Sequence, residues 1–138
     1  MTETAYNVTD FLKENVEATV EEKSVKIDRF PTPFVIKTIT EEENAALRKR
    51  ATLKLRGKNG QVQTETDGDK YAGLLVVAST IVPNFADAAL QENYGTATAA
   101  DTARKMLRAG EFAKLAQEVT EFNGFNDDVN DLAEEAKN

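Results

Sequence analysis

The sequence contains no cysteine, no histidine and no tryptophan. Without thiols or imidazoles it has no Cys or His nucleophile, no imidazole base, no disulfide framework and no zinc site of the usual ligands. Carboxylates, lysine, tyrosine and hydroxyls are what remain for chemistry. No run approaches the ~18 to 20 apolar residues of a membrane span, and Met1-Thr2-Glu3-Thr4 is acidic where a signal peptide is basic and then apolar. A cytoplasmic protein with no membrane partner is expected. Basic residues are outnumbered, 17 to 24, so the formal net charge of −7 opposes binding to a phosphate backbone. What is there is 41% apolar residues in 138, enough for a core without a metal or disulfide staple.

Residues 1–7 read as a frayed end. Thr9 is placed to cap a short helix with Val8, Phe11 and Leu12 on one edge. Alternation around Val25 and Ile27 predicts a strand within 21–28, and Phe34, Val35, Ile36 and Thr38 predict a second over 34–39. Pro31 and Pro33 make the intervening residues a connection. Thr40 and Glu43 have capping-box spacing, so a helix begins there and ends near Ala51. A hairpin over 52–66, turning at Gly57-Lys58-Asn59-Gly60, competes with a helix that runs on to Leu55 and a loop.

Tyr71, Leu74, Leu75, Ala78, Ile81 and Val82 recur at helical spacing and predict a central core helix ended by Pro83. A short helix follows from Asp87 to Tyr94, stopped by Gly95. Thr98 caps another to Leu107, Gly110 interrupts the phase, and Phe112, Leu115, Ala116, Val119 and Phe122 form the next stripe. Asn123-Gly124-Phe125 reads as its C-cap, and Asp127 to Lys137 as a last helix. The resulting class is α+β, mostly α: a small N-terminal strand pair, with a second hairpin as the alternative to a longer helix, then a compact helical bundle. The simplest organisation is one domain over 1–138.

Each candidate for chemistry has an ordinary explanation. The cations Arg48, Lys49, Arg50, Lys54, Arg56 and Lys58 lack a stacking or helix-turn-helix signature, so no nucleic-acid partner is expected. Asp67 and Asp69, and Asp127, Asp128, Asn130 and Asp131, lack EF-hand spacing and sit where helices begin. Gly57 to Gly60 is a turn rather than a phosphate loop. No cofactor, metal or catalytic residue is assigned, and no enzyme is expected. Phe30, Phe34, Phe85, Tyr94 and Phe125 fall at turns, where core-edge plugging competes with an exposed groove for a partner helix. We take Phe85, Leu90, Tyr94 and Phe125 as the partner-binding candidates, with Phe85, Leu90 and Tyr94 on one surface.

The segment 81–95, containing Pro83-Asn84-Phe85 and ending in Tyr94-Gly95, resembles a block of the XkdN-like phage tail assembly chaperones of Gram-positive phages and prophages. Met106 to Leu115 and Asn123-Gly124-Phe125 are similar to further blocks of that family. The resemblance implies a chaperone that binds the tape measure protein during tail morphogenesis, in the cytoplasm of the bacterial host, and is absent from the finished virion. The tail tube protein and a second copy of the chain are further candidate partners. The alternative is a structural tail or head-completion subunit, which requires extensive self-complementary surface. The family also implies a longer product made by ribosomal slippage, and Ala136-Lys137-Asn138 are compatible with slippery codons.

Overall fold

A computed structural model of the chain describes residues 5–17 and 20–125. A three-stranded antiparallel sheet takes two of its strands from the N-terminal part. Strand β1 (Glu22–Val25) pairs with β2 (Phe34–Lys37), Glu22 opposite Lys37 and Val25 opposite Phe34. The prolines lie in the connection, as their missing N–H groups require. Alternation sends Phe34 and Ile36 inward, and Val25 and Ile27 join them.

Helix α1 (Glu41–Arg50) starts at Thr40, whose hydroxyl accepts from the Glu43 N–H at 3.2 Å. The box is only half made, since Glu43 takes the Thr40 hydroxyl at 3.3 Å rather than the backbone. Strands β3 (Thr52–Arg56) and β4 (Val62–Thr66) form the hairpin, and every strand residue is exposed. The longer-helix alternative is thereby excluded. The Asp67 N–H donates to the Ala51 carbonyl at 2.8 Å and closes the hairpin's base.

Helix α2 (Gly68–Ser79) is capped by Asp67, which accepts from the Lys70 N–H at 3.1 Å. Here the periodicity misled. The helix stops at Ser79, and Thr80–Val82 form strand β5 on the free edge of β2. Thr80, Ile81 and Val82 are β-branched, and an open ladder on β2 offers their backbone groups partners that a further helical turn does not. The expected strand pair is therefore a three-stranded sheet with β2 central, and Ile81 and Val82 leave the core.

Helix α3 (Ala88–Tyr94) is capped by Asp87 and ends at Gly95, whose φ of 68° is left-handed. Helix α4 (Ala99–Met106) is capped by the Thr98 hydroxyl. The break before α5 (Ala109–Phe122) falls at Leu107 and Arg108, not at Gly110, which lies in the first turn of α5. The Glu111 carboxylate accepts from the Arg108 N–H at 2.7 Å and fixes that start. Gly124, at φ 79°, follows the C-cap Asn123 as expected. Asn123 also accepts from the Ile39 N–H at 2.8 Å, tying the end of α5 to the segment just after β2.

At the N-terminus the expected helix is two 3-10 turns, Val8–Phe11 and Lys13–Asn15. The cap is Asn7 rather than Thr9: its side chain accepts from the Thr9 N–H at 3.0 Å. The last helix expected, Asp127 to Lys137, lies outside the described residues. Helix α2 packs on α1, α4 and α5. Phe34, Ile36, Val76, Phe85, Leu115 and Val119 fill the space between helices and sheet.

Candidate functional site

Of the four partner-binding candidates, Phe85 is corrected outright as a surface residue, being 1% exposed. The Asn84 side chain accepts from the Ala86 N–H at 3.0 Å, and its carbonyl accepts from the Asp87 N–H, also at 3.0 Å. This turn drives the Phe85 ring inward, 6.4 Å from the Phe34 ring, which in turn lies 5.1 Å from Phe30. Full burial of such a ring is worth about 1.5–3 kcal/mol, which a surface position forfeits. Leu90 and Tyr94 are half-buried, one turn apart on α3, and Tyr94 leans on the core. Phe125 is half-buried against the core beyond α5. The expected common surface of Phe85, Leu90 and Tyr94 is reduced to the α3 pair.

A different feature has the shape of a binding site. A cleft of about 450 Å³ opens between α1, α2 and α4, within the size range of small-ligand pockets. Leu47, Leu74, Val77, Ala78, Ala99 and Ala100 give it apolar walls. Asn44 and Tyr71 hold one wall in place: the Tyr71 hydroxyl donates to the Asn44 side-chain oxygen and pins α1 to α2. Burial raises the Tyr71 phenol above its ordinary value, opposed by the Arg48 charge, so the hydroxyl keeps its proton and continues to donate.

Arg50, Lys70 and Arg104 ring the cleft, with Asp101 as the carboxylate in its lining. Arg104 crosses α2 because Gly73 has no side chain there: a Cβ at Gly73 would lie 3.2 Å from its guanidinium. It donates to the Asp69 carbonyl at 2.6 Å and covers the Phe112 ring at 4.7 Å. The sequence signal that could point to this cleft is Gly73, a glycine in the interior of a helix. Its cations are scattered over 55 positions of sequence, from 50 to 104, so no local motif announces them.

Among the described residues, no group of three or more acidic side chains could hold a metal ion, and no helix is long and apolar enough to cross a membrane. The arrangement offers apolar surface and charge. Comparison with known proteins gives that surface a context. Residues 8–137 match the family model of the phage XkdN-like tail assembly chaperone proteins. The chain belongs to that family. Among XkdN-like proteins, it is 36% identical over 107 residues to the XkdN protein of the phage-like element PBSX of Bacillus subtilis (strain 168), covering 77% of this chain and 72% of that one. It is 33% identical over 126 residues to YqbN of the same strain, covering 91% and 85%. The crystal structure of YqbN shares the fold, with a TM-score of 0.69 at 24% identity, covering 88% of this chain and 98% of that one. In this member of the XkdN-like family, the Asn84 turn of the Pro83-Asn84-Phe85 block sends the Phe85 ring into the core. The family role is that of a phage chaperone, which is non-catalytic.

Proposed function

We propose that this chaperone binds the tape measure protein through apolar surface while the tail is assembled in the cytoplasm of the bacterial host, and is absent from the completed virion. The observation that carries the proposal is membership of the tail assembly chaperone family over residues 8–137. Leu90 and Tyr94 on α3, with Phe125, are the proposed client contacts: each is half-buried, so each keeps apolar surface while anchored to the fold. A long helical client presents apolar stripes that small amphipathic surfaces cover by side-chain burial.

Co-expression tests this. The tape measure protein is expected to move from the insoluble to the soluble fraction in the presence of this chain, and a Leu90→Ser/Tyr94→Ser variant that stays folded by circular dichroism is expected to lose the effect. Equal insolubility with and without the chain overturns the proposal. Recovery of the chain in stoichiometric amount from purified particles overturns it in favour of a structural subunit.

A further inference from the structure

Among the described residues two surfaces lack a partner, and they are complementary. The first is the cleft between α1, α2 and α4, apolar within and cationic at the rim. Among the described residues, the Arg50 and Lys70 side chains make no hydrogen bond or ion pair, while Arg104 is shared with Asp69 at 3.5 Å. The second is the N-terminal arm, residues 5–17. Its side chains Tyr6, Val8 and Phe11 are 75%, 62% and 70% exposed. Burying these apolar groups is favourable, and among the described residues they leave most of their surface to solvent.

The arm is acidic: Asp10, Glu14 and Glu17 stand against Lys13. The Tyr6 and Phe11 rings meet edge to face at 5.6 Å and make one knob, with Leu12 beside it. A cleft of about 450 Å³ admits a few side chains rather than a whole helix, which suits a knob of this kind. We propose that the arm of one copy seats in the cleft of a second copy, Tyr6, Phe11 and Leu12 entering it and the arm carboxylates facing Arg50 and Lys70.

A second copy is the occupant because the arm's charge and apolar groups complement the cleft, while β1, which the arm precedes in sequence, is held by α5, a helix that does not line the cleft. The arm joins β1, which α5 holds through Lys23 and Glu118 at 2.9 Å and through Lys114 and the Lys26 carbonyl at 2.8 Å. At 3.6 residues per turn, Leu75, Val76 and Ser79 occupy one side of α2, and the cleft residues Lys70, Gly73 and Val77 the other. Arm-in-cleft contact uses two different patches, so it is heterologous and links copies head to tail. The inference is independent of which client the chaperone binds.

Because the chain has no cysteine, introduced thiols report the contact without background. Full-length Val8→Cys and Ala100→Cys chains, mixed and mildly oxidised, are expected to give a disulfide-linked heterodimer in excess of either homodimer. Adding Arg50→Glu and Lys70→Glu to the Ala100→Cys chain is expected to lower its yield about tenfold. Circular dichroism of each variant checks that it is folded. No excess heterodimer, or a yield indifferent to the charge reversal, overturns the proposal. A Val8→Cys/Ala100→Cys double variant that oxidises as a monomer at every dilution overturns it in favour of the chain's own arm. Persistent heterodimer failure in a chain that still solubilises the tape measure protein frees the cleft for the client.

Discussion

Arg29 grips Glu111 through two nitrogens: its Nε lies 2.9 Å from Oε2 and its Nη2 2.7 Å from Oε1. The same Nη2 donates to the Met106 carbonyl at 2.7 Å, and Glu111 also accepts the Arg108 N–H. The loop after β1 is thus bound to the α4–α5 corner by one guanidinium. It satisfies a carbonyl at the end of α4 and orients the carboxylate that starts α5.

This pair makes an acid prediction. The Arg29 hydrogen bonds, then the Arg108 N–H, hold the Glu111 carboxyl down to about 2, against an ordinary 4.5. A depressed carboxylate favours the folded state fully above its unfolded value, and that contribution is lost as pH falls through the folded one. Wild type and Glu111→Gln are expected to differ most in Tm at neutral pH and to converge between about pH 4.5 and 2. Parallel Tm curves across that window would show that the pair contributes no charge-dependent stability.

Phe85 gives a packing prediction. Its ring is enclosed by Phe34 and the core. Phe85→Ala is expected to cost about 3–5 kcal/mol in urea unfolding. A loss under ~1 kcal/mol would place the ring at the surface and restore it as a client contact.

Ser79 gives the opposite sign. Its side chain is fully buried, and among the described residues its hydroxyl has no hydrogen-bond partner. An unsatisfied buried hydroxyl costs about 1–3 kcal/mol, and alanine suits a helix better. Ser79→Ala is therefore expected to raise stability by roughly 1 kcal/mol, read as a higher urea midpoint at unchanged slope. A lower midpoint would mean that the hydroxyl is bonded.

The sequence by itself determined the helix starts at Thr40, Asp67, Asp87 and Thr98 and the turns at Gly95 and Gly124. Capping and positive φ are local, involving residues two or three apart, so their chemistry is complete in a short window. It also determined the inward face of α5, which follows from period alone. Tertiary structure decided the rest. Ile81 and Val82 fit a helical stripe as well as a strand until the open edge of β2 supplied hydrogen bonds. Phe85 reads as a turn aromatic until Phe34, some 50 residues away, gave it a ring to pack on. The cleft is the least local of all. Arg50, Lys70 and Arg104 become neighbours only because α1, α2 and α4 pack together and Gly73 leaves room for the last of them. Spacing in sequence carries no information about cations brought together by three helices.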